Sequence, residues 1–184
     1  MLLTSEVPEP EIRDVARVPL TTFGDDRGDL AEMWRESWPI SPLRQWNVVR
    51  TMAGVVRGVH VHPWHTDAIC VVTGRVSCGL FDARPDSPTS GRSVMLELDA
   101  EALELVMIPP GVMHGFAFVT DTVLLNAMDR EYDPSDDIAI AWNDPGLGLS
   151  WPFDNPILSA RDQNAGPLAE ILDDLGWSVL SADG

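Results

Sequence analysis

Short segments in which apolar and polar residues alternate run through most of this chain, whereas helical spacing is rare. Alternation with a period of two, as in residues 55–61, is typical of strands that bury one face. Clusters of Gly and Pro separate these segments and indicate turns. We predict strands at residues 16–22, 44–51, 55–61, 68–72, 76–83, 93–98, 103–108, 115–119 and 123–128.

The number and the even spacing of these strands predict an all-β fold. Many short strands joined by Gly and Pro turns favour a sandwich or barrel, here a jelly roll. One helix is predicted at residues 167–176, because Pro stands near its start and Gly after its end. We divide the chain into an N-terminal arm (residues 1–15), a jelly roll (residues 16–145) and a C-terminal loop and helix (residues 146–184).

Length and composition fit a single domain. A chain of 184 residues with 45% hydrophobic residues can bury one sizeable core. No apolar run approaches the ~20 residues that a membrane-spanning helix needs.

Cys70 and Cys78 lie in apolar, strand-like runs, and no secretory signal precedes them. We therefore expect reduced cysteines in a cytoplasmic protein.

The charge of the chain excludes some classes of partner. The formal net charge is −17 and the pI is about 4.3. Nucleic acids and anionic membranes attract basic surfaces, so neither is expected as a partner. All 12 basic residues are arginines, and the sequence contains no lysine. We expect a small-molecule substrate.

Residues 58–74 concentrate three of the four histidines. Because side chains alternate along a strand, His60 and His62 are expected to project from one face. Asp67 opens the next predicted strand and can meet them across the turn. The fourth histidine follows a Pro-Gly turn in a separate segment. The predicted metal ligands are His60, His62, Asp67 and His114.

Three imidazoles and one carboxylate suit a divalent first-row metal ion with open positions for substrate. This ligand set tolerates Fe, Mn, Ni, Zn or Cu, and a metal-free polar pocket is the alternative. His65 stands beside Trp64 in the turn, and we expect it at the rim rather than among the ligands.

The spacing of these residues resembles the two signature motifs of the cupin superfamily. The first motif is Gly, His-x-His, four residues, an acid and a Gly after six more, which matches residues 58–74. The second is Pro-x-Gly-x-x-His, which matches residues 109–114. The acid is Asp67 where the superfamily usually has Glu. The resemblance implies a double-stranded β-helix.

A longer resemblance, over residues 23–168, is to the dTDP-4-dehydrorhamnose 3,5-epimerase family. These are jelly-roll cupins that act on nucleotide-linked 4-keto sugars, and their members commonly pair as homodimers. The matching segments are Asp26-Arg27-Gly28 with Glu32, Gln45 and Asn47, Arg57-Gly58-Val59-His60, Asp82-Ala83-Arg84, Ser87-Pro88-Thr89, residues 109–116, Trp142-Asn143-Asp144-Pro145, Trp151-Pro152 and residues 158–162.

This resemblance implies roles for individual residues. His60 corresponds to the general base and Asp162 to the carboxylate that orients it. The family's lysine falls on Asp67, and its proton-returning tyrosine falls on Asn126. Tyr132, the only tyrosine, stands where the family often has a second aromatic residue. The implied substrate-binding residues are Arg27, Glu32, Gln45, Asn47 and Arg57, and Trp46 is added as an aromatic side chain that can stack on a flat substrate.

We hypothesise a metal-dependent, epimerase-like isomerase that enolises a ketone. A bound cation would replace the missing lysine by stabilising the enolate oxygen. The substrate would be a nucleotide-linked keto sugar or a related intermediate of secondary metabolism. The alternatives are a metal-dependent oxygenase or lyase that acts on a non-sugar natural product, and a ligand-binding cupin without catalytic activity.

Overall fold

A computed structural model describes residues 11–179 of the chain. Across that part of the chain the secondary structure is almost entirely β. The strands are β1 (Ala16–Pro19), β2 (Thr22–Asp25), β3 (Gly28–Ala31), β4 (Gln45–Thr51), β5 (Val56–Val61), β6 (Asp67–Thr73), β7 (Arg75–Asp82), β8 (Ser93–Asp99), β9 (Glu104–Ile108), β10 (Val112–Phe118), β11 (Thr122–Met128) and β12 (Ile138–Ala139). The helices are α1 (Ala160–Gln163) and α2 (Leu168–Leu175), and 3-10 turns occur at Pro134–Asp136 and Pro145–Leu147.

The strands form two five-stranded sheets and one separate hairpin. The first sheet has the order β1-β9-β6-β11-β4, and the second has the order β12-β5-β10-β7-β8. Among the strands of the described segment, β2 and β3 pair only with each other. Every strand pair is antiparallel. The predicted all-β jelly roll with a short C-terminal helix is confirmed.

The main core lies between the two sheets. Side chains such as Val71 and Leu124 from the first sheet pack with Val76, Leu98 and Phe118 from the second. These strands present an apolar residue to the interior at every second position, which explains why the alternation was visible in the sequence. Burial of this layer is the main source of stability of the two-sheet arrangement.

The outer face of the second sheet is covered by the C-terminal segment. Leu168 and Leu172 of α2 pack with Val59, Phe81 and Met113 from that sheet. As a result β10 is buried at all seven positions, so its sequence reads as a continuous apolar run rather than an alternating one. The predicted terminal helix ends at Gly176, whose backbone is left-handed with φ 65°.

Part of the N-terminal segment packs against the main core. We expected a mobile or edge-docking arm over residues 1–15, of which residues 1–10 lie outside the described part of the chain. Ile12 is 1% exposed and Val15 is 8% exposed, and both belong to the main core. Two apolar residues in an acidic segment are too few to produce a readable period, so the sequence did not reveal this contact.

Two further expectations concern the cysteines and the membrane. Cys70 and Cys78 are both buried and free, as predicted. Across residues 11–179, none of the helices has the length and apolar character needed to span a bilayer.

Candidate active site

A cavity of about 380 Å³ lies between the two sheets and is lined by residues from both. Its apolar side comprises Val49, Ile69, Phe116, Phe118, Leu124 and Met128. Its polar side comprises Asn47, Arg57, His60, His62, Asp67, His114, Asn126, Tyr132, Asp137, Ser159, Arg161 and Asp162. Apolar walls exclude water and strengthen the electrostatic interactions of the polar groups.

Strand β5 delivers two histidines to this cavity. Val59 and Val61 are fully buried in the outer cluster, so the alternate residues His60 and His62 face the cavity. Gly58 permits the close approach of β5 to β10, because a Cβ there would lie 2.8 Å from the carbonyl oxygen of His114. His60 and His114 are direct partners across this strand pair.

His60 forms a dyad with Asp162. The His60 Nε2 lies 2.9 Å from Asp162 Oδ1, and Asp162 Oδ2 accepts a 2.9 Å hydrogen bond from Ser159 Oγ. Burial acts to raise the pKa of the Asp162 carboxyl, but the hydrogen bonds from His60 and Ser159 outweigh it and lower the pKa. An ionised Asp162 accepts from Nε2–H, which leaves Nδ1 of His60 as the nitrogen that can take up a proton.

A second carboxylate lies beside the dyad. Asp137 Oδ1 is 3.8 Å from Nδ1 of His60. Arg161 binds Asp137 in a bidentate manner, with distances of 2.6 and 2.8 Å, and the Tyr132 hydroxyl lies 3.3 Å from Asp137 Oδ2. Burial acts to raise the pKa of Asp137, but Arg161 and His60 lower it below its ordinary value.

The other three histidines surround Asp67. The Nε2 atoms of His62, His65 and His114 each lie 3.5 Å from Asp67 Oδ2. The other carboxylate oxygen, Oδ1, accepts a 3.0 Å hydrogen bond from Asn126 Nδ2. Asp67 and Asn126, which the resemblance sets at the positions of the family's lysine and tyrosine, thus contact each other.

Each histidine of this cluster is held through its Nδ1 atom. His62 Nδ1 lies 2.6 Å from the carbonyl oxygen of Asp136, and His114 Nδ1 lies 3.2 Å from that of Val112. His65 Nδ1 lies 2.6 Å from Asp136 Oδ2. A carbonyl oxygen can only accept, so Nδ1 of His62 and of His114 carries the proton, and Nε2 faces Asp67.

Burial and the attraction between Asp67 and the histidines shift the pKa values of the cluster. Burial acts to lower the pKa of His65, but the attraction of Asp67 and Asp136 raises it to about 9. His65 Nε2 is buried and makes no formed hydrogen bond, so we attribute the contribution of Asp67 to charge attraction at 3.5 Å. Burial lowers the pKa of His114 to about 4 despite the attraction of Asp67. Burial acts to raise the pKa of Asp67, but the three histidines lower it to about 2.

The predicted metal ligand set needs a correction at His60. The donor atoms of His62, Asp67 and His114 lie within 4.8 Å of one another, but His60 is not part of this group and is bound to Asp162. His65 was expected at the rim, yet it is 2% exposed and points at Asp67. The turn between β5 and β6 folds inward here, which residue spacing alone does not reveal.

The predicted substrate-binding residues fall into two groups. Asn47 and Arg57 line the cavity, as do the predicted catalytic residues His60, Asn126, Tyr132 and Asp162. Arg27, Glu32, Gln45 and Trp46 do not line it. Arg27 lies on the β2–β3 hairpin and pairs with Asp25, and its side chain is 89% exposed. Their assignment to substrate binding stays a prediction.

Sequence reasoning missed Asp136, Asp137 and Arg161. The two aspartates follow Pro134 in a polar segment that resembles a surface turn. Arg161 lies next to Asp162 in a segment that already matched the family, and this adjacency was the one available signal. Only the folding of both segments over the cavity brings Asp137 and Arg161 beside His60, and Asp136 beside His62 and His65.

Two sheets that enclose a His–Asp dyad in a polar cavity define an enzyme of the cupin jelly-roll class. The model of the family described as dTDP-4-dehydrorhamnose 3,5-epimerase matches residues 9–170. The chain therefore belongs to this family of isomerases.

Individual relatives agree with this assignment. A dTDP-4-dehydrorhamnose 3-epimerase from Streptomyces niveus is 36% identical over 138 residues, which cover 72% of this chain and 67% of the relative. A dTDP-4-dehydrorhamnose 3,5-epimerase from Neisseria gonorrhoeae is 30% identical over 167 residues, which cover 85% of this chain and 51% of the relative. The chain thus spans about half the length of that relative.

A solved structure extends the likeness to three dimensions. The structure of a 3'-monoepimerase from Streptomyces bikiniensis in complex with dTDP-quinovose superposes with a TM-score of 0.81 and 31% sequence identity. The superposition covers 90% of this chain and 88% of that chain.

Proposed function

We propose that this protein is an epimerase-like isomerase that enolises a ketone in a nucleotide-linked keto sugar or a closely related intermediate. The observation that carries the proposal is the His60–Asp162 dyad, with its 2.9 Å contact, in the cavity between the sheets. The relatives named above, which include epimerases of dTDP-linked sugars, support the substrate class.

The dyad suits proton abstraction next to a carbonyl group. His60 takes a proton from the carbon beside the ketone, the C–H electrons form the enolate, and the negative charge moves to the ketone oxygen. Ionised Asp162 stabilises the imidazolium that results. Return of a proton to the opposite face of the same carbon restores the ketone with inverted configuration. Tyr132 is the cavity phenol that can donate this proton.

Arg57 is the cavity cation best suited to bind a diphosphate. Its Nε donates to Thr51 Oγ1 at 3.0 Å, and within residues 11–179 no carboxylate pairs with it. Arg161, by contrast, is already bound to Asp137 through both terminal nitrogens. A free guanidinium group offers parallel N–H donors that match phosphate oxygens.

Metal dependence is a separate part of the proposal. The epimerases of this family are metal-independent, so the idea depends on the residues of this chain alone. The chain has no lysine to stabilise an enolate. The residues that would hold a divalent cation are His62, Asp67 and His114, and the cation would supply positive charge beside the ketone oxygen.

Exchange of substrate hydrogen with solvent deuterium tests the enolisation step. The protein is incubated in deuterated buffer with a dTDP-linked 4-keto-6-deoxy sugar, and deuterium is followed by NMR. We expect exchange beside the ketone, and a loss of about 10²–10⁴-fold in His60→Asn, the range that a general base contributes. The exposed residue Glu101 provides the control variant, Glu101→Gln, which should retain the exchange rate. Exchange that survives unchanged in His60→Asn would refute the proposal.

One observation favours a second reaction class. Histidines around a carboxylate also suit a metal-dependent oxygenase or lyase that acts on a non-sugar product. Oxygen consumption by Fe(II)-loaded protein, without deuterium exchange, would support this alternative. Tight nucleotide binding without either reaction would indicate a binding protein.

We also propose that two copies of the chain form a homodimer. Trp46 and Val48 on the edge strand β4 are 41% and 54% exposed, and Phe23 and Leu30 on the hairpin are 58% and 60% exposed. Exposed apolar residues on an unpaired edge favour association. Light scattering coupled to size-exclusion chromatography should give twice the 20.2 kDa chain mass, and a monomeric mass would exclude the dimer.

A further inference from the structure

We propose that His62, His65, Asp67 and His114 form a binding site for one divalent transition-metal ion, and that His60 is not a ligand. Binding of the ion is independent of the function proposed above, and only its chemical role depends on that function.

The first observation is the spacing around Asp67. Three Nε2 atoms lie at the same 3.5 Å from one carboxylate oxygen. This is longer than a good N–H···O hydrogen bond, which measures about 2.7–3.2 Å. Ligand atoms bound tetrahedrally to one ion at about 2.1 Å lie about 3.4 Å apart. The distance from each Nε2 to Asp67 Oδ2 therefore matches that between two ligands of one ion better than that of a hydrogen bond.

The second observation is the contact behind each ring. Nδ1 of His62 and of His65 lies 2.6 Å from an oxygen of Asp136, and Nδ1 of His114 lies 3.2 Å from the Val112 carbonyl oxygen. Metal-binding histidines characteristically donate their second ring nitrogen to a carboxylate or carbonyl oxygen, which fixes the ring and directs the other nitrogen to the metal. Asp136 therefore supports two rings at once, and it is itself 3% exposed.

The third observation is the unpaired nitrogen of His65. Its Nε2 atom is buried and finds no hydrogen-bond partner among residues 11–179, although it points at Asp67. A buried polar atom without a partner is costly, on the order of 1–3 kcal/mol. A cation between Asp67 and the rings would give this atom a partner.

The four proposed ligands differ in whether they line the cavity. His62, Asp67 and His114 line the cavity, whereas His65 does not. The three cavity ligands would bind the ion from the cavity side, and His65 would bind it from the protein side. The donor atoms of the cavity ligands already lie within 4.8 Å of one another; His65 is not part of this group, and its ring would have to shift to join it.

The donor set selects the class of ion. Three imidazole nitrogens and one carboxylate oxygen suit borderline ions such as Zn²⁺, Co²⁺, Ni²⁺ or Fe²⁺. Mg²⁺ and Ca²⁺ prefer sites made of oxygen ligands and are not expected to bind tightly. His60 stays outside because, among the described residues, it is not part of the group of donor atoms within 4.8 Å of one another, and its ion-pair contacts are to Asp137 and Asp162 rather than to Asp67. The base and the ion would therefore act side by side without sharing a nitrogen.

Titration of the full, untagged, metal-depleted chain with Co²⁺ and Zn²⁺ tests the site directly. We expect calorimetric saturation at one ion per chain, together with the visible absorption of Co²⁺ in a nitrogen-rich, low-coordinate site. Asp67→Asn and His65→Gln should each weaken binding by more than the ~10–100-fold that loss of an outer-shell partner costs. His60→Asn should leave ion affinity unchanged.

Several outcomes would overturn the inference. These are the absence of saturable binding, binding that is equally tight in Asp67→Asn, and loss of the site in His60→Asn. His65→Gln binding as tightly as the unmodified chain would remove His65 from the ligand set. Circular dichroism and a thermal melt of each variant identify proteins that fail to fold, and His62→Gln then replaces the affected variant. Because no substrate is present, the result is independent of the deuterium-exchange test.

Discussion

Two histidine–carboxylate groups lie side by side in the cavity and differ in which ring nitrogen the protein holds. His60 is held at Nε2 by Asp162, and its Nδ1 remains available for a proton. His62, two residues later on the chain, is held at Nδ1 by the Asp136 carbonyl oxygen, and its Nε2 points at Asp67. The partner of one nitrogen thus decides what the other nitrogen can do.

The number of rings around each carboxylate is the second difference. Asp162 contacts one histidine and a serine hydroxyl, and these hydrogen bonds hold it as an acceptor. Asp67 faces three imidazoles at equal distances, an arrangement that one carboxylate oxygen cannot satisfy through hydrogen bonds alone. The dyad is suited to move a proton, and the cluster is suited to hold a cation.

The largest effect that separates the two regions is expected from Asp162→Asn. The amide keeps the size of the side chain but removes the charge that stabilises the His60 imidazolium. Deuterium exchange should fall by about 10²-fold or more, while Co²⁺ affinity stays the same. Ser159→Ala is the matched control, because it removes one hydrogen bond worth about 1 kcal/mol and keeps the charge. A similar loss in both variants would show that the Asp162 charge is unimportant.

A smaller effect, confined to the cluster, is expected from Asn126→Ala. This variant removes the 3.0 Å hydrogen bond that holds Asp67 Oδ1. Loss of such an outer-shell partner should weaken Co²⁺ binding by about 10–100-fold, as measured by calorimetry. Asn47→Ala is the control, because Asn47 faces Asn126 across the β4–β11 pair and lines the same cavity. Equal affinity in the two variants would contradict the role assigned to Asn126.

The smallest effect concerns stability in acid. Asp162 has a folded-state pKa below its ordinary value of 3.8, so its contribution to the free energy of unfolding is present above that value and is lost as pH falls through the folded pKa. Asp162→Asn should therefore lose less stability than the unmodified chain between pH 5 and the acid limit of folding. Urea unfolding at several pH values measures this, and parallel pH profiles for the two proteins would contradict it.

The fold was largely predictable because one face of most strands is buried. Alternating apolar residues located the strands of the two sheets, and the Pro and Gly residues at positions 167 and 176 located α2. The prediction was least accurate where the burial pattern carries no period, and the strand predicted at residues 115–119 starts three residues after β10 does. Ile12 and Val15 reach the core from an acidic segment, and β10 is buried at every position because α2 covers its outer side.

The candidate site was predictable only in part. Strand alternation identified His60 and His62 as neighbours on one face, and both line the cavity. The resemblance implied the pairing of His60 with Asp162, 102 residues away along the chain, but the sequence did not reveal that the carbonyl oxygen of Asp136, 74 residues beyond His62, would hold the His62 ring. It also placed His65 outside, whereas the turn before β6 folds that ring onto Asp67.

The sequence by itself determined the family, the jelly roll and the loss of lysine from the chain, because spacing, alternation and composition are local properties. Tertiary structure alone decided that His62, His65 and His114 gather around Asp67, apart from the His60–Asp162 pair that the resemblance had implied. The physical reason is that a neutral imidazole has one nitrogen that donates a hydrogen bond and one that accepts a hydrogen bond or binds a metal ion. Only the chain folded around the ring determines which of them donates a proton and which remains free.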